Sequence, residues 1–176
     1  MIAGAGEGMA CQPLVARFSP GCHPVAMTED ERNANCRERV LESFDKQGLM
    51  KTLGATLGAI APGMVEIEIH PNPSISQQHG FVHAGAVSAI ADTAAGYAAL
   101  SLMPAGRGVL TTEFKINLVA PAIGDRIVAV GKVVKAGRTL TLAQSEVFAE
   151  SGGERKLVAL LTATLMAVEG REGVTD

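Results

Sequence analysis

The sequence predicts an α+β domain in which an antiparallel sheet curls around one long helix. Three observations carry that reading. Residues 83–102 form a nearly all-apolar run built largely from alanine and glycine, long enough for a central helix. Four segments after it alternate apolar and polar residues, or are apolar on both faces, between short turn signals. One segment before it, residues 65–69, alternates Val65, Ile67 and Ile69 with Glu66, Glu68 and His70. A sheet of about five strands with its bulk on one face needs a cover, and the 83–102 helix is the long apolar cover available.

Taken in order, residues 1–27 mix Gly, Pro, Ser and scattered apolar residues without a period, and are expected to form an irregular extension. Thr28, followed by Glu31, has the capping-box pattern, and Glu29 and Asp30 suit the positive end of a helix. That N-terminal helix should put Val40, Leu41, Phe44 and Leu49 on one face, with Gly48 as an interruption and an end near Leu53. Pro71 and Pro73 stop the strand at 65–69. Met103-Pro104-Ala105-Gly106 ends the central helix. Strands follow at 108–121, 126–137, 139–150 and 156–169. Their turns fall at Pro121–Asp125, Ala136–Arg138 and Ser151–Glu154. The domain should span residues 28–170, with 171–176 as a tail.

The chain has 176 residues, a net charge of −3, five Phe, one Tyr and no Trp. That balance points away from nucleic acid and from anionic membrane surfaces. MIAGAGEGMACQ lacks the basic region and apolar core of a signal peptide, and no membrane-spanning run stands out, so a cytoplasmic location is expected. The cysteines, Cys11, Cys22 and Cys36, are odd in number and without a CxxC spacing, which fits free thiols and neither a disulfide framework nor a metal site.

Asp92 is the residue that matters most. It is a single carboxylate in the middle of an apolar helix, and an ionised acid in such surroundings is expensive unless it is hydrogen-bonded or does chemistry. Helical spacing places Gly85, Ser88, Ala89, Gly96 and Ala99 on its side of the helix. A face so poor in bulk lets a ligand or a second chain come close to the backbone. The strand at 156–169, apolar on both faces, needs a further cover that another subunit would supply.

The run HAGAVSAIADTAAGYAA, followed by TTEFKINLVAPAIGDRIVAVGKVVKAGRTL, resembles the PaaI-type acyl-CoA thioesterases of the hotdog-fold superfamily. The resemblance extends over residues 53–168. It joins His-x-Gly, Ala-Asp-Thr-Ala, Thr-x-Glu-x-Lys-x-Asn, Pro-Ala-x-x-Gly and Gly-Arg in order. It implies hydrolysis of a small or medium acyl- or aryl-CoA, with Asp92 as general base or nucleophile. It further implies backbone donors at Ala84 and Gly85, a polar orienting residue at Gln77 and a positioning hydroxyl at Thr111. His83, where the family motif begins, and Arg138, of the Gly-Arg pair, are the substrate-binding candidates, the latter for coenzyme A phosphates. The family often has His-Gly-Gly where this chain has His83-Ala84-Gly85. No cofactor is implied. The acid of one subunit would face the helix start of another, so a homodimer, paired again into a dimer of dimers, is expected.

Each residue also has a plainer reading. Thr111 suits a strand by propensity, Gln77 shares its loop with Gln78, and His83 starts the helix. His79 is an alternative imidazole, and Lys115, Arg126, Lys132 and Lys135 are ordinary strand charges or phosphate partners. Two rival functions remain: a hydroxyacyl-thioester dehydratase using His70 of His70-Pro71-Asn72-Pro73, and a non-catalytic acyl-CoA-binding module.

Overall fold

A computed structural model describes residues 29–169. The 1–27 extension with Cys11 and Cys22, the Thr28 cap and the 171–176 tail lie outside the described residues. The chain runs α1 (Glu29–Phe44), α2 (Gly48–Leu53), β1 (Thr56–Ala61), β2 (Met64–Ile69), a single 3-10 turn (Pro73–Ile75), α3 (Ala84–Leu100), β3 (Arg107–Leu118), β4 (Arg126–Lys135), β5 (Leu140–Ser151) and β6 (Glu154–Glu169). All strand pairs are antiparallel, in the order β1-β2-β4-β5-β6-β3. The helix α3 packs against β2, β3, β4, β5 and β6, so the sheet curls around it as the sequence predicts. This is the hotdog architecture. Among the described residues no helix is long and apolar enough to cross a membrane.

The core lies between α3 and the concave face of the sheet. Val65, Ile67 and Ile69 of β2, Ile127 of β4, Val147 of β5 and Leu165 of β6 are fully buried there against Val87, Ile90 and Leu100 of α3. The helix can sit this close because its sheet side is Ala91, Ala94, Ala95 and Ala98. Gly131 of β4 completes the fit: a Cβ at that position would collide with the Ala94 carbonyl. Beside it in the ladder, Ser145 is fully buried and donates from Oγ to the Ala91 carbonyl at 2.6 Å. That carbonyl belongs to the peptide unit leading into Asp92, so the sheet grips the helix one residue from the acid.

Three expectations need correction. First, the sheet has one strand more than the sequence shows. β1 carries Gly58 and Ala59 and pairs with β2 through a register shift between Leu57 and Ile60, so it lacks the alternation that marks a strand. Pro62 and Gly63 (φ 78°) close that hairpin. Second, α1 does not bury the whole Val40, Leu41, Phe44 and Leu49 face. The chain leaves the helix after Phe44 and starts again at Gly48, which resets the phase. Val40, Met50 and Leu53 are buried, while Leu41 and Leu49 are exposed. The C-terminus of α2 is closed by Gly54 (φ 64°), with Gly54 N–H on the Lys51 carbonyl and Ala55 N–H on the Met50 carbonyl. Third, β3 does not alternate evenly. A bulge between Thr111 and Glu113 carries Val109 and Thr111 to the same concave face as Phe114 and Ile116. Uninterrupted alternation would set Thr111 on the opposite face, beside Glu113 and Lys115.

Candidate active site

Asp92 sits on the side of α3 that the sheet leaves uncovered. Ser88, Ala89, Asp92, Thr93 and Gly96 are only partly buried, while the opposite side of the helix is sealed; Ala99, expected on the open face, is itself buried against the core. The bulge in β3 brings the Thr111 hydroxyl over this face, where it donates to Asp92 Oδ1 at 2.8 Å. The second carboxylate oxygen has no hydrogen-bond partner among the described residues. Burial pushes the Asp92 carboxyl above the usual aspartate range, and the Thr111 hydrogen bond opposes that rise. An acid raised in this way, with one oxygen held and one open, is suited to accept a proton or to attack a carbonyl.

The start of α3 forms a second cluster. His83 is the N-cap, and its Nδ1 accepts the Gly85 N–H at 2.9 Å. A Cβ on Gly85 would stand 3.0 Å from that nitrogen, so a larger residue there would push the ring by a few tenths of an ångström. With Nδ1 acting as acceptor, the neutral ring carries its proton on Nε2. Of the two amides expected as donors, Gly85 is therefore already engaged. The Ala84 N–H makes no hydrogen bond among the described residues, and Ala84 is exposed. It is the free donor at the positive end of a helix of 17 residues. Gln77 lies beside it. Its backbone N–H donates to the Phe81 carbonyl at 2.8 Å, and its side-chain oxygen accepts the His79 N–H at 3.4 Å, so the amide nitrogen is left as a donor. Gln77, Gln78, His83 and Ala84 line one cavity of about 520 Å³, walled by Phe81 and Leu118.

Within one chain, then, the expected residues fall into two groups. Asp92 and Thr111 share a cavity of about 240 Å³; Gln77, His83 and Ala84 share the other. Eight residues of helix at 1.5 Å each put about 12 Å between Ala84 and Asp92 along the axis. Arg138 joins neither group. It is exposed on the β4–β5 turn, where its carbonyl accepts from Arg107 at 3.3 Å. His79 is exposed in the loop before α3, its ring near Phe81. His70 lies at a separate polar cavity with Asp125, Arg126 and Glu150, its Nδ1 3.1 Å from the Asp125 carbonyl. The dehydratase reading needs an imidazole beside the helix acid, and within one chain His70 does not stand there. Arg126 is engaged by Glu68 at 2.9 Å and Glu150 at 2.7 Å.

Sequence reasoning passed over Gln47, Leu49, Tyr97 and Val109, which wall the Asp92 cavity. Tyr97 carried a signal, as the one tyrosine of the chain and five residues beyond Asp92 on the same helix. Gln47 and Leu49 reach the cavity only because the helix breaks at residues 45–47, and no periodicity announces that.

Comparison with known proteins agrees with this architecture. The thioesterase superfamily profile matches residues 79–156. A solved thioesterase family protein from Silicibacter pomeroyi is 47% identical, with a TM-score of 0.75, over 77% of this chain and 99% of its own. The E. coli PaaI protein from the phenylacetic acid degradation operon has the same fold, with a TM-score of 0.71 at 20% identity over 78% of this chain and 96% of its own. A Halobacterium salinarum protein that carries an esterase designation is 29% identical over 114 residues, 61% of this chain and 75% of its own. The chain belongs to the thioesterase superfamily, and its fold is the hotdog fold.

Proposed function

We propose that this protein hydrolyses acyl-CoA thioesters to a free acid and coenzyme A, at a site shared between two copies of the chain. One observation carries the reading: a half-buried carboxylate with a raised pKa, held by Thr111, stands on an uncovered helix face made of small residues. The free donor that acyl transfer needs lies about 12 Å away on the same helix. A second copy, packed face to face on α3 in the opposite direction, brings its own helix start to the first copy's acid.

The chemistry follows from those groups. Asp92 takes a proton from water while the water oxygen attacks the thioester carbonyl, or its open oxygen attacks directly and water later cleaves the mixed anhydride. Negative charge grows on the carbonyl oxygen and is met by the Ala84 N–H with the helix dipole behind it. Gln77, through its amide nitrogen, orients the same oxygen or the water. The C–S bond breaks, and the departing thiolate of coenzyme A takes up the proton. Arg138, exposed on its turn, is a candidate contact for the coenzyme A phosphates.

The edge position of β3 supports the dimer. Its outer backbone edge has no neighbouring strand among the described residues, and Phe114 and Leu118 on its concave face are about half exposed, at 46% and 52%. On the convex face, Leu110, Leu140, Leu142 and Leu160 are exposed, which supports a second pairing into a dimer of dimers. Thiol release over an acyl-CoA panel tests the activity. Free thiol from at least one thioester is expected. Enoyl product without thiol would mean a dehydratase, and binding without either product would mean a carrier.

A further inference from the structure

The cavity beside Asp92 has a wall that the sheet-and-helix core does not provide. Gln47 of the α1–α2 turn and Leu49 of α2 close it, with Val109 and Thr111 of β3 and Tyr97 of α3 as its other walls. This wall is pinned in place. Gln47 occupies the N-cap position of α2 but makes no side-chain cap. Its Nε2 instead donates to the Tyr97 hydroxyl at 2.8 Å, and that hydroxyl donates to Ser43 Oγ at 3.3 Å. Tyr97 is 3% exposed, and the Phe44 ring packs against it at a tilt, 6.1 Å between centroids. A helix start that leaves its own amides uncapped to hold a tyrosine has its geometry fixed by the neighbouring helix.

Leu49 is the part of this wall that nothing else explains. It is 57% exposed, on a helix whose buried residues are Met50 and Leu53. It overhangs both the Asp92 cavity and an adjoining cavity of about 330 Å³ that reaches His83 and Gly85. The Asp92 cavity has no Lys, Arg or His in its lining, so the one charge there is the carboxylate.

We propose that the α1–α2 turn and the start of α2 form the specificity wall for the acyl group, that Leu49 sets the length accepted, and that the group is neutral. The inference rests on the proposed hydrolysis beside Asp92. A second carboxylate on the acyl group would meet the Asp92 charge, and the cavity's own lining offers no cation to offset it. A longer chain would have to displace Leu49.

The test is a series of straight-chain acyl-CoAs from two to sixteen carbons, with succinyl-CoA added, for the wild type and for Leu49→Ala, Leu49→Trp, Leu41→Ala and Asp92→Asn. Leu41 is also an exposed leucine, on α1, and does not line the cavity, so it controls for surface truncation. Wild-type kcat/KM should fall at least tenfold at some chain length within the series, and succinyl-CoA should be at least a hundredfold poorer than butyryl-CoA. Leu49→Ala should carry the fall to longer chains, Leu49→Trp to shorter ones, and Leu41→Ala should leave it in place. If both Leu49 variants keep the wild-type profile while Asp92→Asn is inactive, the wall is refuted and the hydrolytic reading stands. If Asp92→Asn hydrolyses as the wild type does, or if the wild type releases no thiol from any substrate, the hydrolytic reading falls and the wall with it.

Discussion

Asp92 is costly to the fold, and the cost has a pH dependence that can be measured. Burial raises its pKa in the folded protein above its unfolded value, which is about 3.9. The neutral carboxyl is therefore the form the fold prefers. Stability from this group is full below about pH 3.9 and declines as pH rises through the folded pKa. Asp92→Asn, which keeps the shape and can still accept from Thr111, should raise the melting temperature at pH 7 and lose that advantage at low pH. Turnover should fall on the order of 10²–10⁴-fold in the same variant. Thr111→Val should act differently. Its hydroxyl is the group that lowers the Asp92 pKa, so its loss should move the acid limb of the rate profile to higher pH. An unchanged limb would mean that the acid governing the rate is another residue. At this scale the sequence was legible where chemistry is local. One carboxylate in an apolar helix stands out without a structure. That Gly85 N–H is held by His83 does not, because a ring closing back two residues leaves no trace in composition or spacing.

The helix α3 and the sheet beneath it were legible to different degrees. Val65, Ile67 and Ile69 alternate with charged neighbours, and all three are fully buried. β1 was invisible because a strand with Gly58, Ala59 and a register shift has no period to read. The bulge in β3 was equally hidden, and it decides the site, since it turns Thr111 from the outer face to the helix. The helix must also sit low enough on the sheet for that contact, and Gly131 sets the height. Gly131→Ala should cost about 1–3 kcal/mol by forcing α3 off β4. Denaturant unfolding would measure the loss. Activity should drop further than stability alone explains, because the shift also separates Asp92 from Thr111. A variant of wild-type stability would show that the helix does not rest on that glycine.

In the proposed assembly, the acid and the oxyanion donor come from different copies of the chain. The protein should run in light scattering at no less than twice its 18.2 kDa. Removal of residues 1–27, to which no chemistry is assigned, should leave turnover within a few-fold. The most direct measurement is complementation between two inactive variants. Asp92→Asn removes the acid. Ala84→Pro removes the free N–H, and the first helical position tolerates proline, with the preceding His83 already extended at φ −62° and ψ 138°. Each variant alone should be inactive. After unfolding and refolding together in equal amounts, half the dimers are mixed, and each mixed dimer has one intact site of two, so about a quarter of wild-type activity should return. If the mixture stays as inactive as its components while mixed dimers form, the acid and the donor act within a single chain, and the shared site is wrong.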